Sequence, residues 1–276
     1  MKLEIIDVEH GACAFIRTSN GKAVMIDCGH NASTGWYPGD ALVNAGWSAL
    51  DRLFITNYDE DHVSGYPNLV ENVVVKLLTR NWHVSVDNIR SLKTRDGMGP
   101  GIDCLVRTID GFFLGGAPTA DDLNFGDTTF DIFANPYGSP PFGFDDENNL
   151  SLVVFVTCGV HRIIFPGDLE KAGWKSLLRN QEFCRMLRGV TIFVASHHGR
   201  ENGYCKEVFD VCGNVQTVII SDKAKHHQTQ ETVPAYRNHA TGFMYDGTLR
   251  RVLTTRQDGS MSFDLSEQGA IVRLGT

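Results

Sequence analysis

No two of the seven cysteines form a Cys-x-x-Cys pair, and the odd count leaves a full disulfide framework impossible. Neither a zinc ribbon nor a disulfide-built scaffold is expected. Several of the cysteines fall inside apolar runs, where buried reduced thiols are expected. No apolar run approaches the ~20 residues that a membrane-spanning helix requires. The first eight residues read as a strand and lack the longer apolar stretch and cleavage site of a signal peptide, so a cytoplasmic location and no membrane partner are expected. Positive charge is also scarce: 25 Lys and Arg stand against 33 Asp and Glu, a net charge of −8. A chain-wide electrostatic grip on polynucleotide is excluded on that ground. Residues 108–161 contain no Lys or Arg. The local exception is the group Lys76, Arg80, Arg90, Lys93, Arg95 and Arg107, which reads either as a solvated face or as a rim for a phosphate-bearing substrate.

With 42% apolar and 21% charged residues, the 276-residue chain can bury a large core, and it is read as one domain over residues 1–276. Short strands are expected at 3–8, 14–17 and 24–27, the last two joined through the turn Thr18-Ser19-Asn20-Gly21. A helix at 40–50, a strand at 52–55, an apolar run at 73–78, a loop at 91–100 and a helix at 101–113 follow. Strands at 128–133, 150–157 and 161–165 precede a helix over 170–187. Beyond it come a strand at 190–195, a helix at 205–211 and strands at 215–220, 242–245, 251–255 and 260–264. Residues 135–149, rich in Gly, Pro and Asp, read as an insertion or an active-site lid. Hairpins mixed with strand-helix alternation point to sheets flanked by helices, the layered α/β or α+β arrangement.

The chemistry gathers at strand ends. Leu53-Phe54-Ile55 leads into Thr56-Asn57-Tyr58-Asp59-Glu60-Asp61-His62, which sets Asp59, Asp61 and His62 within four residues. Carboxylate and imidazole together suit a hard or borderline cation. Asp168 follows the run 163–167, where Gly167 permits a sharp turn. His197-His198-Gly199 follows the run 191–195, and His226-His227 begins six residues past Ile220. A lone Asp after a strand is usually a cap, and a His pair is usually one buried and one exposed ring. Four such strand ends in succession point instead to one site.

The order of these segments is similar to the metallo-β-lactamase fold, in the branch typified by the hydrolase-like domain of the ComEC competence proteins. Val8-Glu9-His10-Gly11 resembles that branch's opening Val-Gly-Gln-Gly turn, and Met25-Ile26-Asp27-Cys28-Gly29 its Ile-Asp-Gly-Gly turn. Residues 56–65 resemble its Ser-His-x-Asp-x-Asp-His-x-Gly-Gly motif. Asn148-Asn149-Leu150-Ser151-Leu152-Val153, Pro166-Gly167-Asp168, Ser196-His197-His198-Gly199, Ile220-Ser221-Asp222 with His227, and the closing 253–259 hairpin follow in the same order.

The resemblance implies a four-layer αββα sandwich and metal-dependent hydrolysis with Zn²⁺, or else Mn²⁺, as one or two ions. Carried over by position, Asp61, His62, Asp168 and His227 form the better-defined metal site, with Asp59 at the second motif histidine. Asp59 or Asp61 would orient the attacking water, and His197 or His198 would act as ligand or proton donor. Asn57 replaces the first motif histidine with a poorer ligand. His10, in place of Gln, is either a further imidazole or a loop histidine, and His30 and His83 are weaker candidates. Three functions compete. One is hydrolysis of a phosphodiester, with a nucleotide or nucleic acid as substrate (a nuclease or cyclic-nucleotide phosphodiesterase). Another is hydrolysis of an ester, thioester or lactone, with an apolar pocket lined by Phe112-Phe113 and Phe142-Gly143-Phe144. The third is a catalytically impaired binding module, motivated by Asn57.

Overall fold

In the computed structural model, which describes residues 1–94, 97–111, 118–223 and 231–275, alternate side chains of single strands enter different cores. Along Leu152–Cys158, Leu152, Val154 and Val156 join one cluster while Val153 and Phe155 join another. Along Ala23–Cys28, Val24 and Ile26 share the first of these clusters, and Ala23, Met25 and Cys28 face a third. Successive strand side chains point to opposite faces, so a strand buried throughout must be covered on both sides.

The coverings are helices on the outside and the other sheet on the inside. Among the described residues, a seven-stranded sheet runs Gly269–Leu274, Met261–Ser266, Lys2–Ile5, Cys13–Arg17, Ala23–Cys28, Arg52–Phe54, Leu78–Thr79. A six-stranded sheet runs Val252–Thr254, Thr217–Ile220, Ile192–Val194, His161–Phe165, Leu152–Cys158, Thr128–Ala134. Ile5, Ile16, Phe54 and Phe263 of the first meet Val154, Phe165, Ile192 and Ile219 of the second in the central core. Helices Pro38–Asn44, Tyr66–Asn72, Val86–Leu92 and Pro100–Gly111 cover the outer face of the first sheet, through Leu42, Leu69, Ile89 and Leu105. Lys171–Leu177, Gln181–Leu187, Lys206–Cys212 and Val233–Arg237 cover the second, through Trp174, Phe183, Phe209 and Tyr236. This is the αββα layering that the resemblance implies.

Several boundaries differ from expectation. The helix expected over 170–187 is two, because the Asn180 side chain accepts from the backbone N–H groups of Glu182 and Phe183 and starts a new helix there. The helix expected over 40–50 stops at Asn44. Gly46 turns the chain at φ +85°, and Ala49–Leu50 pairs instead with Val74–Val75. Thr248–Arg250 and Gly269–Leu274 are strands with no counterpart among the expected ones. All seven cysteines are free thiols. No helix among the described residues is long and apolar enough to cross a membrane.

What positions the site is strand direction. Arg52–Phe54 lies parallel to Ala23–Cys28, and His161–Phe165, Ile192–Val194 and Thr217–Ile220 are mutually parallel. Their carboxyl ends converge at one edge where the two sheets meet.

Candidate metal centre

The loop after Arg52–Phe54 sends consecutive residues to different tasks. Thr56 donates its backbone N–H to Asp27 Oδ1 at 2.7 Å and its hydroxyl to Asp27 Oδ2, while its carbonyl accepts from Leu152 N at 2.7 Å. The loop is thus tied to both sheets. Asn57, fully buried, accepts from Asp59 N (2.8 Å) and donates to Asn148 Oδ1 and Ser151 Oγ (3.2 Å each). The Glu60 carboxylate accepts from Gly101 N (2.8 Å) and Ile102 N (3.1 Å), capping the helix Pro100–Gly111. The Asp61 carbonyl is wedged between two turns: a Cβ on Gly11 or on Gly29 would lie 2.6 Å from it. Only glycine allows that approach.

Four side chains then meet. His62 Nδ1 donates to Asp27 Oδ2 at 2.9 Å, and its Nε2 lies 3.1 Å from Asp168 Oδ1. Asp168 is turned inward by Gly167 (φ +59°) and held by a bond from its N–H to Ser151 Oγ (3.1 Å). His198 sits in the left-handed region, φ 52°, within the turn Ser196–Gly199, which is pinned by His197 N donating to Gly167 O at 3.1 Å. Its Nδ1 donates to Ser221 O at 2.9 Å, and its Nε2 lies 3.3 Å from Asp61 Oδ2 and 3.5 Å from Asp168 Oδ1. The ligating atoms of His62, Asp168 and His198 lie within 4.8 Å of one another, as do those of His10, Asp61 and His198.

The His198 ring tests whether a cation fits. With Nδ1 donating to a carbonyl, the neutral ring carries a bare lone pair on Nε2, buried and without a hydrogen-bond partner, between two carboxylates. A neutral ring there repels the carboxylates, so the pocket calls for positive charge, either a proton on Nε2 or a cation among the three groups. The residues therefore fit a divalent metal, and both imidazoles are oriented as ligands are, one by the Asp27 carboxylate and one by a backbone carbonyl.

Electrostatics agree. Burial alone would lower the pKa of His62, but the Asp168 and Asp27 carboxylates outweigh it and hold it well above the usual histidine value. His198 is likewise raised, as Asp168 and Asp61 overcome its burial. Burial works to raise Asp168, and the His62 and His198 imidazoles hold it below the usual carboxylate range instead. His10 is driven down to about 4 by burial and by His198.

Of the residues singled out from sequence, Asp61, His62, Asp168 and His198 come together, and His10 joins them. Asp59 does not. It pairs with the ammonium of Lys93, which also lies 3.0 Å from Glu147 Oε1 with its side chain only 4% exposed. His197 stands at the edge of the cluster: its Nε2 lies 3.8 Å from Asp168 Oδ2 and accepts from Arg200 Nη1 at 3.0 Å, and its Nδ1 is 3.6 Å from Glu170 Oε1. His226 and His227 lie outside the described residues. His30 Nδ1 bonds Ser64 Oγ at 2.7 Å and stacks on Tyr37, and His83 packs on Trp82, both apart from the cluster.

The expected basic rim is not a free surface. Lys76 pairs with Asp51, Arg90 with Asp87 and Asp110, and Arg107 with Asp103, while Arg80 caps the carbonyls of Asn81 and Val84. Arg95 lies outside the described residues. Phe142 is 88% exposed and Phe144 packs on the outer core, while Phe112 and Phe113 lie outside the described residues.

Sequence reasoning gave Asp27 no site role and Lys93 none beyond the basic rim, and it missed Arg200. Asp27 carried a signal, a carboxylate within a strand buried along its whole length. Arg200 carried none. Its guanidinium bridges His197 and His10 (Nη2 to Nε2, 2.9 Å) and has no carboxylate partner among the described residues.

Comparison with known proteins bears out the resemblance. Residues 6–81, which carry Asp27 and the 56–62 loop, match the sequence model of the metallo-β-lactamase superfamily. The chain is 24% identical over 285 residues to ComE operon protein 3 of Bacillus subtilis (strain 168), a match covering 95% of this chain and 33% of that protein. The chain thus spans a third of the length of the curated relative it matches. Among solved structures, Zn²⁺-bound PqqB from Methylobacterium extorquens aligns with a TM-score of 0.52 and 11% identity, covering 96% of this chain and all of that one. The fold is that of the metallo-β-lactamases.

Proposed function

We propose that this chain is a metal-dependent hydrolase of small phosphodiesters, of nucleotide size. The observation that carries the metal-dependent part is the partnerless Nε2 of His198 between Asp61 and Asp168. Asp61, His62, Asp168 and His198 would hold the ion, with His10 beside them and His227 as the further ligand expected from sequence. A mixed imidazole and carboxylate set suits Zn²⁺ or Mn²⁺. When bound, such an ion acidifies water and polarises an ester oxygen.

The chain's own groups supply the rest. Arg200, without a carboxylate of its own among the described residues, offers a cation to an anionic substrate oxygen and favours a phosphoester over a neutral carbon ester. The exposed Phe142 removes one wall of the apolar pocket that the ester alternative needs. His197, its Nε2 accepting from Arg200 and its Nδ1 3.6 Å from the Glu170 carboxylate, holds that guanidinium beside the cluster. The local pairing of the basic residues 76–107 favours a small substrate over a long polynucleotide.

Turnover of bis(p-nitrophenyl) phosphate against ester and thioester panels, with metal content measured on the same samples, tests this. The expected result is phosphodiester turnover that falls with bound metal in His62→Ala. Preferred turnover of carbon esters, or full activity in His62→Ala, would overturn it.

A further inference from the structure

The 56–62 loop carries three carboxylates and sends them apart, Glu60 to the start of the helix Pro100–Gly111. Asp61 faces the imidazoles, whereas Asp59 faces Lys93. Lys93 follows the last turn of the helix Val86–Leu92, its N–H donating to Ile89 O, and it reaches inward to touch Asp59 and Glu147 together. A lysine buried to this degree is tolerated only where its charge is matched, and here one ammonium stands against two carboxylates from different segments. The neutral oxygens nearby are already in use. Asn57 Oδ1 accepts from Asp59 N, and Asn148 Oδ1 accepts from Asn57 Nδ2.

We infer that Lys93 is a built-in cation, its ammonium occupying the place of a second metal ion, so that the centre binds one ion and not two. This rests on the metal-dependent reading above and deepens it. Without the ammonium, Asp59 and Glu147 would face each other uncompensated, two carboxylates of the kind hard cations take. Lysine therefore does by covalent attachment what an ion would otherwise do by binding.

Counting ions decides it. Titration of the metal-free protein with Mn²⁺, followed by calorimetry and by the electron paramagnetic resonance of the bound ion, should give one ion per chain and an uncoupled spectrum. Lys93→Met, which keeps the length and drops the charge, should take a second, weaker Mn²⁺. If Lys93→Met folds only when Mn²⁺ is present, that too supports replacement of the ammonium by an ion. Two ions in the unaltered protein would overturn the inference, as would one ion in a folded Lys93→Met, or a Lys93→Met that fails to fold with or without Mn²⁺. No ion in the unaltered protein would sink the metal reading itself, a failure distinct from a count of two.

Discussion

Asp27→Asn is the substitution whose consequence can be followed furthest. Asp27 sits at φ 56°, a left-handed conformation that Asn adopts as readily as Asp, so the exchange adds no backbone strain. It is 2% exposed, and its two oxygens accept from Thr56 N, the Thr56 hydroxyl and His62 Nδ1. In the Asp27→Asn side chain one oxygen still accepts from Thr56 N, but an NH₂ replaces the other. That NH₂ faces the Thr56 hydroxyl, which rotates to accept, and His62 Nδ1, which can satisfy it only by giving up its own proton. The ring then carries its proton on Nε2, the atom aimed at Asp168 and the ion, which is the tautomer that cannot ligate. Outer carboxylates that orient a ligating imidazole contribute roughly 10- to 100-fold in metal affinity, or about 1.4–2.8 kcal/mol at 1.4 kcal/mol per decade. Competition against a fluorescent chelator should therefore show Zn²⁺ or Mn²⁺ binding weakened by one to two decades, with circular dichroism unchanged. Affinity within about threefold of the parent in a folded Asp27→Asn would refute the tautomer argument.

Three further outcomes are expected. In the presence of chelator, stability should peak near pH about 6.5. The raised pKa values of His62 and His198 stabilise below that point and lose their contribution as pH rises, while His10, lowered to about 4, and His197 lose theirs as pH falls. Added metal should abolish the alkaline decline, because it needs the neutral rings; urea midpoints across pH check both, and a metal-free midpoint still climbing at pH 8.5 would be the contrary result. Gly29→Ala should cost about 1–3 kcal/mol by overpacking, since its Cβ meets the Asp61 carbonyl at 2.6 Å and the Ala12 carbonyl at 3.1 Å; wild-type denaturant midpoint and metal affinity together would contradict it. Trp174→Ala, emptying a site 1% exposed under the second sheet and orphaning the Gly203 carbonyl, should lower stability by about 3–5 kcal/mol without changing the ion count, as equilibrium unfolding and metal analysis would show.

The layers were legible because burial leaves its mark on composition. The strand His161–Phe165 fell where its apolar run predicted, and the unbroken apolar stretch of 152–156 already marks a strand covered on both faces. Ligands held close to a strand end were legible for the same reason. What could not be read is direction within tight turns. His197 and His198 both have positive φ, so neither strand nor helix periodicity says which ring faces inward. The Asp59–Lys93 pair joins segments 34 residues apart, and nothing local to either residue announces it. Helix ends failed where a single side chain decided them, as Asn180 did.

The donors enter the chain far apart. His62 and Asp168 are separated by 106 residues and follow strands of different sheets, Arg52–Phe54 and His161–Phe165. An ion that ligates both is a reversible staple across that span, and a permanent link of such length would restrict the unfolded chain by on the order of 4–5 kcal/mol. The centre also has no existence in half a molecule, since neither sheet alone presents a complete set. Metal uptake is then a late event in folding, a signal that the two sheets have docked. On the proposed function, a partly synthesised or proteolysed chain would hold its ion weakly or not at all, and hydrolysis would await the completed fold.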